Sequence, residues 1–179
     1  PDEWVIRGNH HDAWVNGASD PISGLAAMLE EARAYGTMLE KGWRPKRTLL
    51  LCAWDGEEQG LLGSTEWAEY HREELRTKGV AYINTDGNGR GYVSIGGSHV
   101  LERFFNQVMD EVRDPRMDIS LKERRRAYHR GDLRDASIRV GGEGQIGHDV
   151  LAGLPPPILD VRREPVVEPG QRVLHRDAL

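Results

Sequence analysis

Thr48-Leu49-Leu50-Leu51-Cys52-Ala53-Trp54 runs directly into Asp55-Gly56-Glu57-Glu58. The first segment carries no charge and is apolar at odd and even positions alike. That pattern describes a strand buried on both faces, as in a parallel sheet covered by helices. Two adjacent glutamates directly after such a strand are costly to place there unless cations compensate them. Fold and chemistry can both be read outward from this junction.

Upstream, Trp4-Val5-Ile6-Arg7 reads as a short strand. Asp20-Pro21 then opens a helix, with Asp20 as N-cap and Pro21 at the first helical position. Ile22, Leu25, Ala26, Leu29 and Ala32 follow at helical spacing. Gly42-Trp43-Arg44-Pro45 ends that element. Downstream, a single helix is predicted from near Ser64 to just before Gly79. Val80-Ala81-Tyr82-Ile83 is the next strand and Tyr92-Val93-Ser94-Ile95 another. Leu101, Phe104, Phe105, Val108, Met109 and Val112 mark an amphipathic helix, with Pro115 beyond its end. The alternation of strands and helices predicts an α/β fold, a sandwich whose sheet is mostly parallel. Such sheets bind ligands beyond the carboxyl ends of their strands.

The chain has 179 residues, enough for one domain with a core, and a net charge of −5 with both signs mixed. No basic stripe of the kind a nucleic-acid binder carries is present. No run approaches the length of apolar sequence that spans a bilayer. Cys52 is the single cysteine, which excludes an internal disulfide and a cysteine zinc cage. Within its apolar run it reads as an inert buried thiol. All five tryptophans fall at or before Trp67, and no aromatic residue follows Tyr128. Five of the nine prolines lie between Pro155 and Pro169. Residues 1–129 therefore read as the packed part of a domain, and residues 130–179 as a loop-rich tail.

Three strands are each followed by residues that ligate metals. His10-His11-Asp12 and Asp20 follow the first, Asp55-Gly56-Glu57-Glu58 the second, and Asp86 the third. Parallel neighbours would bring these tips to one rim. Imidazole and carboxylate are the ligands of a hydrolytic zinc site that lacks thiolates. Each cluster has an ordinary explanation when taken alone. An Asp before Pro is commonly a helix cap, and adjacent glutamates are commonly a solvated face.

Longer strings carry a resemblance. Gly8-Asn9-His10-His11-Asp12-Ala13-Trp14 with Asp20-Pro21-Ile22-Ser23-Gly24 resembles the first metal motif of the glutamate carboxypeptidase II branch of the M28 metallopeptidases. Trp54-Asp55-Gly56-Glu57-Glu58-Gln59-Gly60-Leu61-Leu62-Gly63-Ser64-Thr65-Glu66-Trp67 resembles the second, and Gly79-Val80-Ala81-Tyr82-Ile83-Asn84-Thr85-Asp86 the third. The match covers roughly residues 4 to 115.

The resemblance implies a truncated part of a three-layer α/β zinc-peptidase fold of the phosphorylase/hydrolase-like type. It implies a co-catalytic exopeptidase with two zinc ions and a peptide substrate. His10 and Asp86 would bind one zinc, Glu58 the other, and Asp20 would bridge them. Glu57 would be the general base, and Asp12 would orient His10. The peptide bond after the bridging aspartate is often cis in this family. A glutamate-type carboxypeptidase is the first expectation and an M28 aminopeptidase the alternative. A second alternative is an inactive protein that keeps the fold, as the transferrin receptor does. The resemblance also suggests an extracytoplasmic or secreted location and leaves room for a homodimer.

Family members carry a second histidine near the C-terminus, after a Gly-Ser-Gly-Ser/Asn-Asp segment and beside a tyrosine. Here Gly141-Gly142-Glu143-Gly144-Gln145-Ile146-Gly147-His148-Asp149 is a poor echo of that segment, and Leu174-His175-Arg176 lacks the tyrosine. His175 is the first candidate for this ligand, with His148 and His129 behind it. The tail from about Arg130 does not match the family. It reads as a divergent end, a truncation or a shifted reading frame, and the lack of aromatics and Pro155-Pro156-Pro157 favour the last two.

Overall fold

A computed structural model describes residues 2–89, 92–128 and 158–164. In chain order the elements are β1 (Trp4–His10), α1 (Ile22–Glu40), β2 (Thr48–Trp54), α2 (Leu62–Tyr70), α3 (Arg72–Lys78), β3 (Gly79–Asn84), β4 (Tyr92–Gly97), α4 (Glu102–Glu111), α5 (Leu121–Tyr128) and β5 (Ile158–Glu164). The strands form one sheet in the order β2-β1-β3-β5-β4. All neighbours are parallel except β4 and β5, so the sheet is mixed and mostly parallel, as expected.

Side chains on a strand alternate between faces. Tyr82 joins Ile6, Ala68 and Leu75 in one apolar cluster with Trp4, Leu50, Cys52 and Trp67, so this face is covered by α2 and α3. Its neighbour Ile83 joins Ile95, Met109, Val93, Leu101, Phe105 and Leu121 on the opposite face, beneath α4 and α5. Arg7 stands opposite Ile83 in the register and bonds Glu31 of α1, so α1 covers the same face as α4. Helices therefore lie on both sides of the sheet and make three layers.

Four local expectations are corrected. Asp20 does not cap α1: the capping position is Pro21, with no side-chain cap bond, and the Asp20–Pro21 peptide is cis, as the resemblance implied. The segment from Ser64 to Gly79 is two helices rather than one, broken at His71. Glu73 and Glu74 at the start of α3 and Arg76 and Lys78 at its end match the helix dipole and support it as a separate element. β2 is not covered on both faces. It is one of the two edge strands among the described residues, and Leu51 is 39% exposed. Its composition states which faces suit burial, but does not supply the neighbour that would bury them. Finally, Ile158–Glu164 forms a strand between β3 and β4, within a stretch whose composition reads as loop.

Cys52 packs in the α2/α3 cluster, and burial pushes its thiol up to about 11, in keeping with an inert thiol. No helix among the described residues is long and apolar enough to cross a membrane.

Candidate metal centre

β1, β2 and β3 run in the same direction, so His10, the Asp55–Glu58 turn and Asp86 emerge at one rim. The turn after β2 is tightly closed. Gly60 and Leu61 donate their N–H groups to the Glu57 carbonyl at 2.9 and 2.8 Å, and Gly63 donates to the Asp55 carbonyl at 2.9 Å. Gly56 adopts φ +66°, a conformation that favours glycine. The sequence Asp-Gly-Glu-Glu thus lifts both glutamates over the strand end.

His10 is 2% exposed. Its Nε2 lies 2.8 Å from Asp20 Oδ1 and 3.8 Å from Glu57 Oε2. Its Nδ1 lies 3.0 Å from the Asp12 carbonyl oxygen and 3.4 Å from Asp12 Oδ1. Asp12 has a second task that the sequence did not reveal. Its two carboxylate oxygens accept the backbone N–H groups of Glu57 and Glu58 at 3.1 and 3.2 Å. These bonds hold its carboxyl below the usual aspartate range against the opposing effect of burial, the largest single influence on it. One carboxylate therefore ties the β2 turn to the β1 tip.

The charges are unbalanced. Burial works to lower the His10 pKa, but the charges of Glu57, Asp86 and Asp20, with the Asp20 hydrogen bond, outweigh it and raise the group. Glu57 is also raised: burial and the nearby Asp86, Glu58 and Asp20 carboxylates prevail over the favourable His10 charge. A rim holding one imidazole and several carboxylates is a site that a cation would relieve.

The arrangement therefore brings His10, Asp12, Asp20 and Glu57 into direct contact. It brings Glu58 in through its backbone, and Asp86 within electrostatic reach. As they stand, no three such side chains among the described residues surround a point that would hold an ion. His10 Nε2 is instead bonded directly to Asp20 at 2.8 Å, and the Asp20 side chain is 63% exposed. One imidazole among several carboxylates is the donor chemistry that zinc takes. His129, His148 and His175 lie outside the described residues.

Sequence reasoning missed the supporting polar groups. Arg7, Asn9 and Thr85 are all buried. Arg7 donates to Glu31 at 3.0 Å, to Thr85 Oγ1 at 2.6 Å and to the Gly8 carbonyl at 2.7 Å. Asn9 Nδ2 donates to the Thr85 carbonyl. On the other face, Trp54, Tyr82 and Asn84 form a hydrogen-bonded row that ends at Asp86. The available signal was polar residues inside otherwise apolar strands.

Comparison with known proteins places the chain by family and by fold. The chain is 50% identical over 116 residues to the maize protein named "Probable glutamate carboxypeptidase VP8", covering 64% of the chain and 16% of that protein. It is 53% identical over 87 residues to mouse "Aminopeptidase NAALADL1", covering 48% of the chain and 12% of that protein. The chain thus spans about a sixth or less of the length of these curated relatives. The crystal structure of the Legionella pneumophila LapA aminopeptidase superposes with a TM-score of 0.62 at 17% identity, covering 90% of this chain and 41% of that one. That likeness shows the fold. The sequence profile described as Peptidase family M28 matches residues 1–135, and the chain belongs to that family.

Proposed function

We propose that this chain contributes most of the active site of a di-zinc exopeptidase. One observation carries the reading: the His10 imidazole lies 2.8 Å from Asp20 and 3.8 Å from Glu57, at a rim where Asp12 grips the backbone of Glu57 and Glu58. His10 and Asp86 would hold one zinc, Glu58 the other, and Asp20 would serve both. His175, His148 or no residue of this chain would supply a further ligand, and zinc counted per chain decides between a complete and an incomplete site. Bound zinc would supply Lewis acidity for the scissile carbonyl and a lowered pKa for water.

Glu57 is the general base. It takes the proton of the attacking water and passes it to the departing amine. Asp12 orients His10 and fixes the turn that presents Glu57. The substrate is a peptide cleaved at its end. Resemblance to the maize protein supports a glutamate-type carboxypeptidase, and resemblance to the mouse protein supports an aminopeptidase. Assays with N-blocked and C-blocked peptides separate the two. A receptor-like protein without turnover would not require Glu57, which is present beside the ligands.

The decisive test is Glu57→Gln, with zinc content and peptidase turnover measured together. Zinc stays bound and turnover falls by about 10²–10⁴-fold, the usual contribution of a general base. Loss of zinc with unchanged residual turnover contradicts the assignment.

A further inference from the structure

Trp54, Tyr82 and Asn84 come from β2 and β3, on either side of β1, yet they form a single row. Trp54 Nε1 donates to the Tyr82 hydroxyl at 2.9 Å. The hydroxyl donates to Asn84 Oδ1 at 2.9 Å. Asn84 Nδ2 donates to Asp86 Oδ1 at 2.6 Å. The row crosses β1 over Gly8, the register partner of Cys52 and Asn84. A Cβ at Gly8 would lie 2.7 Å from both Trp54 Nε1 and Tyr82 Cε2, so only glycine lets the tyrosine reach across. Indole N–H can only donate, which directs the sequence of bonds. The hydroxyl accepts from it and donates onward, leaving the Asn84 amide N–H to face the aspartate.

We infer that Asn84, held by Tyr82 and Trp54, is a positioning residue that fixes the plane of the Asp86 carboxylate at the metal centre. This rests on the reading of Asp86 as a metal ligand. A charge-assisted bond of 2.6 Å to a ligand oxygen sets the angle at which the carboxylate addresses an ion. Partners of this kind commonly change metal affinity by 10–100-fold when removed. The tyrosine ring anchors the row in the apolar cluster of Ile6, Ala68 and Leu75, so the rigidity of the core reaches the rim. Nothing in this row depends on the substrate, so its effect appears in metal binding before it appears in turnover.

The test compares zinc affinity by chelator competition, the visible spectrum of the cobalt-substituted protein and the thermal midpoint, for the full chain and three variants. Asp86→Asn reports on the metal centre, Asn84→Ala removes the donor, and Tyr82→Phe removes only the hydroxyl. Asp86→Asn and Asn84→Ala each weaken zinc binding about tenfold or more, and Tyr82→Phe weakens it less. The cobalt spectrum shifts in Asn84→Ala. If Asp86→Asn binds zinc as well as the parent, the metal assignment fails and the positioning role with it. If Asp86→Asn weakens zinc while Asn84→Ala and Tyr82→Phe lower only the thermal midpoint, the centre stands and the positioning role is overturned. Should Asn84→Ala not fold, Tyr82→Phe decides on the same readouts.

Discussion

Ile6 and Arg7 are adjacent on β1 and face opposite sides of the sheet. Ile6 meets Ala68 and Leu75, with Trp4, Leu50 and Trp67 around them. Arg7 meets Glu31, Thr85 and the Gly8 carbonyl, and two positions on, Asn9 meets Thr85. Both faces are buried, but they are stabilised differently. Apolar burial is non-directional and contributes roughly in proportion to area. A buried polar network contributes only while each member is satisfied. The apolar cluster under α2 and α3 therefore supplies stability, whereas the Arg7, Asn9 and Thr85 network fixes which groups stand beneath the rim.

If that division is correct, the two faces separate in experiment. Leu75 is 1% exposed at the centre of the apolar face, and Leu75→Ala leaves a cavity. Urea unfolding is expected to show a loss of about 2–5 kcal/mol. Zinc affinity of the folded chain falls less than in Asn84→Ala, because Leu75→Ala leaves the hydrogen bonds of the Trp54, Tyr82 and Asn84 row with their partners. A drop in affinity as large as that of Asn84→Ala would show that apolar packing shapes the centre as much as the polar row does, and the comparison would break.

On the other face the reverse is expected. Gly24 in the first turn of α1 sits against the Asn9 side chain and the carbonyls of Thr85 and Asp86, and a Cβ there would strike all three. Two of these obstacles are backbone, so they cannot swing away. Gly24→Ala should destabilise the fold by about 1–3 kcal/mol, as overpacking does. Because it separates Asp86 from the helix that follows Asp20, it also weakens zinc binding. Chelator competition alongside urea unfolding checks both effects. A stability loss without an affinity loss would mean that α1 and the Asp86 loop do not need their close packing.

The parts of this molecule legible in its sequence are those set by periodicity. β1, β2 and β3 were visible as apolar runs, and parallel pairing then required His10, Glu57, Glu58 and Asp86 to meet at one rim. The sequence could not show that Asp20 leaves the capping position to Pro21, because its side chain bonds His10 instead. It could not show that Asp12 clamps the Glu57 turn, since that contact joins residues 45 and 46 positions apart. Nor could it reveal the row from Trp54 to Asp86, which depends on the strand order. The apolar pattern of β2 indicated which faces suit burial, but an edge position is decided by neighbours.

A carboxylate away from the rim sharpens the contrast. Asp114 is buried like His10, but every partner of its carboxylate is a donor. The backbone N–H groups of Arg116 and Met117 reach its Oδ1 at 2.9 and 3.0 Å, and Arg124 holds Oδ2. These bonds, the Arg116 N–H first, lower its pKa against burial, whereas burial and neighbouring carboxylates raise that of Glu57. A lowered carboxylate stabilises the fold above the unfolded value, and that contribution disappears as pH falls through the folded value. The ordinary aspartate value is 3.8. The stability difference between the parent and Asp114→Asn should therefore be constant above about pH 5 and shrink below about pH 4. Urea midpoints of both proteins across that range measure it. A difference that is flat with pH would show that Asp114 gains nothing from its charge, and that a satisfied carboxylate resembles the crowded ones at the rim more than the geometry indicates.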